Sequence, residues 1–178
     1  MTKAKRPKPT HVELDAYHEA GHAVIAHHLG LRVLRVAVRP DGPGSSVTTI
    51  GRAPDRFLGR ELEDAALVEY LDIKLLFHHA GCVAERVHAK SRMPKNRVHF
   101  WRLTDAHYAE QDVLMTAYAL GRGPTKNEIK ATVAGYKTHT RALVRKLWPM
   151  VETVARALLK HKMLGARRFR TLVGPKAL

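Results

Sequence analysis

Ala16-Tyr17-His18-Glu19-Ala20-Gly21-His22-Ala23 is the stretch on which the fold turns. It contains no proline or β-branched residue and sits inside a longer helix-forming run, 12–29, where Val12, Ala16, Ala20, Val24 and Leu29 trace an apolar seam. Thr10 is placed to cap this run and Gly30 to stop it. Residues four apart on a helix point about 40° from each other after a full turn, so His18 and His22 share a face and can set two imidazoles on one Zn²⁺. Glu19 borders that face, where a carboxylate can hold an attacking water, take its proton and pass it to a leaving amine. In a chain with 12 His, chance would supply about 0.04 such H-E-x-x-H matches. Small neighbours, Ala20, Gly21 and Ala23, let other backbone approach closely.

Outward from this helix, residues 34–38 alternate Leu, Arg, Val, Ala, Val, and Asp41-Gly42-Pro43-Gly44 leads to a second β-prone run at 47–50, predicting a sheet of two or three strands. Between 60 and 89, Leu62, Ala66, Ile73, Leu76, Ala80, Val83 and Val87 recur at helical steps and predict a long second helix. Residues 91–103 hold Pro94, Asn96 and five basic residues, His99 included, and read as a loop, after which Thr104 or Asp105 is expected to cap a third helix ending near Leu120. Gly121-Arg122-Gly123-Pro124 stops it, Thr125 caps a fourth helix, and Pro149 kinks or restarts that one before a last apolar stripe of Val151, Val154, Ala155, Leu158 and Leu159. The expected class is mainly α with a small β-sheet, α+β.

The 178 residues are 45% apolar and 26% charged, enough to bury roughly two-thirds of the unfolded surface and to exclude wholesale disorder. A single cysteine, Cys82, rules out an internal disulfide and a four-cysteine zinc site, and it reads as a small core residue; its scarcity makes a cytoplasmic setting the default. No window reaches 18 uninterrupted apolar residues, and 1–10 lacks the apolar centre of a secretory signal, so neither a membrane span nor a leader is expected. The net charge of +15 is uneven: +4 over 1–10, −3 over 11–89 and +14 over 90–178.

The run Ala-Tyr-His-Glu-Ala-Gly-His-Ala resembles the zinc-site helix of FtsH-type peptidases, the proteolytic half of a family of membrane-anchored ATP-dependent proteases. Three further stretches agree in order. Val33-Leu34-Arg35-Val36-Ala37-Val38-Arg39-Pro40 is similar to the strand after that helix, and Ala80-Gly81-Cys82-Val83-Ala84-Glu85 to the family's Ala-Gly-Arg-x-Ala-Glu helix. Thr104-Asp105, with Ala109 four residues on, resembles the Ser-x-Asn-Asp segment whose Asp is the third zinc ligand. The resemblance implies a zincin-like H-E-x-x-H domain in which His18, His22 and Asp105 bind zinc and Glu19 is the general base. Glu85 would then orient a ligand histidine. Taken without the resemblance, the residues leave the third ligand open among Asp105, Glu85, His107, Glu110 and Asp112. The chain departs from the family at Glu85-Arg86, where two acids are usual, and at Arg102-Leu103-Thr104, where small residues are.

On this reading residues 1–10 are a disordered basic tail, 11–124 a zinc peptidase core and 125–178 a basic helical part of the same domain. No G-x-x-x-x-G-K-[ST] loop occurs, so hydrolysis is expected to be ATP-independent or to borrow an unfoldase, and to act on unfolded or flexible segments. The strand at 34–38 is expected to offer a substrate its edge, or to have that edge covered by its own loop. The family's proteolytic domains form hexameric rings, which implies a homo-oligomer. Lys126, Lys130, Lys137, Arg141 and Arg145 form a stripe beside the apolar face of the fourth helix, joined by Arg167-Arg168-x-Arg170. Such residues are usually a solvated face; as an anion site they would take nucleic acid, an acidic protein or an anionic membrane surface. The rival function is therefore a basic nucleic-acid- or protein-binding module with a structural or inactive zinc site.

Overall fold

Thr10 caps the first helix, α1 (His11–His28), in a reciprocal box: its hydroxyl accepts from the Glu13 N–H at 3.1 Å, and the Glu13 carboxylate accepts from the Thr10 N–H. Gly30, at φ 82°, turns the chain out of the helix. The computed structural model describes residues 7–38, 46–51, 63–90, 93 and 100–175. Residues 1–6 of the expected tail, the 41–44 turn, the start of the expected second helix at 60–62 and most of the expected loop at 91–99 lie outside the described residues.

The remaining elements are β1 (Val33–Ala37), β2 (Val47–Ile50), α2 (Asp64–Ala89), α3 (Phe100–Ala119), α4 (Lys126–Lys146), α5 (Trp148–His161), β3 (Met163–Gly165) and α6 (Ala166–Val173). The protein is thus mainly helical with one small antiparallel sheet. The α1 helix is buried on every side from Leu14 to Ala26, rather than along one seam, because α2, α5 and the sheet all pack on it. Its alanines and Gly21 make this approach feasible: a Cβ on Gly21 would stand 2.6 Å from the Ala80 carbonyl oxygen and 2.7 Å from Ala84 Cβ. The core joins Val24 and Ile25 of α1 to Val36 of β1, Val83 of α2, Val151 and Leu158 of α5, Leu164 of β3 and Phe169 of α6.

Three expectations need correction. The strand order is β2-β1-β3, with Val36 opposite both Thr48 and Leu164, so β1 is the central strand and has no free edge for a substrate. The third strand, just three residues long, occupies that edge. Second, α3 starts at Phe100, so Asp105 lies within the helix rather than at its cap. Nothing from 100 to 119 is Pro or Gly, so residues 100–103, expected as the end of a loop, carry the helix one turn further back. Third, α6 forms from a segment expected only as a basic cluster. The α4 and α5 boundaries follow the expected chemistry: Thr125 makes a second capping box with Glu128, and Pro149 opens α5 after a break at Leu147. Among the described residues no helix is long and apolar enough to cross a membrane.

Candidate metal centre

The α1 period places His18 and His22 on one face, and the close approach of α2 brings Gly81 under them. His18 Nε2 and His22 Nε2 lie 3.1 Å apart, and Asp105 Oδ2 of α3 is 3.5 Å from the first and 3.6 Å from the second. A tetrahedral ion with bonds of about 2.0–2.1 Å spaces its ligand atoms about 3.3–3.4 Å apart, so this triangle has the dimensions of three ligands on one ion. The donor set of two imidazoles and a carboxylate suits a divalent transition metal. Space for the ion is also built in: a Cβ at Gly81 would stand 2.6 Å from His18 Nε2 and closer still to His22 Nε2. Among the described residues His18, His22 and Asp105 form a group that could hold a metal ion.

The outward nitrogens of both histidines face acceptors. His22 Nδ1 is 2.8 Å from the Phe77 carbonyl oxygen, to which it donates, leaving the Nε2 lone pair toward the cluster. His18 Nδ1 lies 3.5 Å from Glu85 Oε2, a carboxylate only 2% exposed on α2. Burial lowers the His22 pKa, but Asp105, Glu19 and the Phe77 carbonyl outweigh it and the net shift is upward. For Asp105 burial acts upward and is outweighed by His22, His18 and His78, holding the carboxyl below its usual range.

Glu19 is 3% exposed beside this cluster. Its Oε2 lies 2.7 Å from Thr48 Oγ1 on β2, and that hydroxyl is also 3.0 Å from the Glu19 carbonyl oxygen. Burial raises the Glu19 carboxyl above its ordinary value, with His18, His22 and Thr48 pulling it back. A carboxyl shifted this way is a better proton acceptor than one in water.

Of the other candidate third ligands, His107 and Glu110 are exposed, and Asp112 is engaged by His78 Nε2 at 2.9 Å and Lys74 Nζ at 3.5 Å. That engagement helps seat α3, as does Ala109, which is fully buried in a small cluster with Leu75. Asp105, Ala109 and Asp112 thus recur at helical spacing on the side of α3 that meets α2. Cys82 is not a mere core filler: its Sγ is 3.6 Å from Asp105 Oδ2, the oxygen of the cluster. Thr48 and Cys82 were not singled out for the site because both meet it only through tertiary packing.

No protein-family model and no curated protein matches this chain. The basic residues divide. Lys137, Arg141 and Arg145 of α4 face α2 across surface depressions, whereas Lys130 is exposed away from them and Arg167 and Arg168 are exposed on α6, Arg168 Nη2 being 2.8 Å from His161 Nε2.

Proposed function

We propose that this chain is an ATP-independent zinc metallopeptidase that hydrolyses peptide bonds in unfolded or flexible polypeptide segments. The observation that carries this reading is the triangle of His18, His22 and Asp105 with a buried carboxylate, Glu19, next to it on the same helix. Bound by those three residues, zinc supplies Lewis-acid polarisation of a carbonyl and draws the pKa of a water toward about 7. Phe77 and Glu85 orient the two imidazoles, and Cys82 faces the Asp105 carboxylate. Thr48 holds the Glu19 carboxylate, which takes the proton of the attacking water and returns it to the leaving amine. The resemblance of the α1 and α2 motifs to FtsH-type peptidases, with a zincin-like helix, supports the same reading.

The test is cleavage of an unfolded, fluorescence-quenched protein by zinc-loaded wild type, by Glu19→Gln and by chelated wild type. Turnover that falls at least about a hundredfold in both controls is expected, since general-base catalysis alone contributes about 10²–10⁴. Turnover unchanged in Glu19→Gln would overturn the reading. A folded, zinc-bound protein that cuts nothing would favour the rival, a binding module with a structural zinc.

A further inference from the structure

Three depressions adjoin along the seam between α2, α4 and the start of α5, with volumes of about 120, 450 and 780 Å³. The smallest is lined by Asp105, Cys82 and His79, so it reaches the cluster on its Asp105 side. It shares Val83 and Arg86 with the second, and the second shares Val87, Lys90 and Arg145 with the third. Together they form one trough that runs from Asp105 of the candidate metal centre to Trp148. Among the described residues its walls carry six cations, Arg86, Lys90, Lys137, Arg141, Arg145 and Arg156, and two acids, Asp105 and Glu152, the latter 3.7 Å from Arg156.

The spacing of these cations suits an extended peptide. Lys137, Arg141 and Arg145 rise along α4 in steps of four residues, about 6 Å each. Alternate side chains of an extended chain repeat at about 6.6 Å, so acidic residues at every second position would meet them in turn. From Lys137 to Lys146 α4 advances about 13.5 Å, the length of roughly four extended residues. Nucleic acid is served less well. The aromatic rings at the far end are already stacked, Tyr17 with His88 at 3.6 Å and with Trp148 at 5.6 Å, and Tyr17 itself is buried and offers bases no face.

We propose that this trough is the substrate cleft for polypeptide segments bearing acidic residues at alternate positions, which it leads to the bond cut at the metal centre. The inference rests on the peptidase reading and adds its substrate class. The cleft selects by charge and by extended backbone, so it would draw in flexible acidic stretches and pass over neutral ones.

Binding is measured by fluorescence anisotropy on the full-length, zinc-loaded Glu19→Gln chain, which separates recognition from turnover. The probes are a labelled twelve-residue peptide with Asp at alternate positions, its Asn counterpart, and a single-stranded DNA of equal net charge. The acidic peptide should bind about tenfold tighter than the Asn peptide, as a few exposed ion pairs would give, and lose that margin in Arg141→Glu/Arg145→Glu. Both arginines are exposed, so this variant should keep the wild-type circular dichroism; Arg141→Gln/Arg145→Gln should lose part of the margin. In the active background, the charge-reversed pair should raise KM for the acidic peptide about tenfold and leave kcat within twofold. Equal binding of the two peptides, indifference to charge reversal, or displacement of the acidic peptide by the DNA at lower concentration would overturn the proposal. Selective binding of the acidic peptide with no cleavage by wild type would refute the peptidase reading and uphold the acidic-peptide cleft.

Discussion

Gly81→Ala places one methyl group where the account puts a metal ion. Its Cβ would stand 2.6 Å from His18 Nε2, whereas ordinary contact starts at 3.4 Å, so the imidazole must retreat by about 0.8 Å. Ligand distances tolerate only about 0.2 Å, so the triangle cannot survive that retreat. Stability should suffer less. Overpacking costs about 1–3 kcal/mol, and Ala in place of a helical Gly returns about 0.5–1 kcal/mol, a net loss that a domain of ordinary stability survives. We therefore expect a folded protein whose zinc affinity, measured by competition with a chromophoric chelator, falls at least about a hundredfold, with a Tm lowered by several degrees. Gly21→Ala is the contrasting case, because its methyl meets the Ala80 carbonyl and Ala84 Cβ, which cannot rotate away. Its cost should fall on stability first, with the larger drop in Tm. Zinc binding by folded Gly81→Ala within threefold of wild type would refute the reasoning.

Thr48→Val keeps the volume of the side chain but removes the donor to Glu19, and should lower kcat about tenfold to a hundredfold with KM little changed; steady-state kinetics on one quenched peptide decides this. His79 is buried with no hydrogen-bond partner for its Nε2 among the described residues, and burial, with Lys137 and His78 nearby, pushes its pKa down to about 4. The unfolded chain then binds the extra proton between pH 6.5 and 4, so stability is full above that window, falls as pH drops through it, and levels off below. The loss should be about 2 kcal/mol after allowance for solvent screening, and His79→Leu should flatten it in urea titrations at several pH values.

What could be read from the sequence was local. The H-E-x-x-H spacing, the Thr10 and Thr125 caps, the stop at Gly30 and the break before Pro149 each depend on residues within a turn or two of one another, and each stands in the structure. Asp105 was reachable as a ligand by resemblance, yet its place inside α3 was not, because the charges before it suggested a loop. The β3 strand is too short for any alternation to announce it, and its pairing covers the edge of β1 that the sequence left either open to a substrate or closed by its own loop. Thr48 and Cys82 join the site from other elements, at separations no periodicity spans. The α4 stripe was visible at its four-residue spacing, but Arg86 and Lys90, which make it one wall of a trough, come from the facing helix.

The proposed activity rests on one catalytic zinc held by His18, His22 and Asp105. Its most direct test is a zinc titration of chelator-treated protein, with cleavage of a quenched unfolded substrate followed at each addition. Turnover should rise in proportion to added zinc and level off at one equivalent per chain, and Asp105→Asn should need a far higher free zinc concentration to reach its plateau. Turnover independent of zinc, or a plateau reached by Asp105→Asn at the wild-type concentration, would contradict the account.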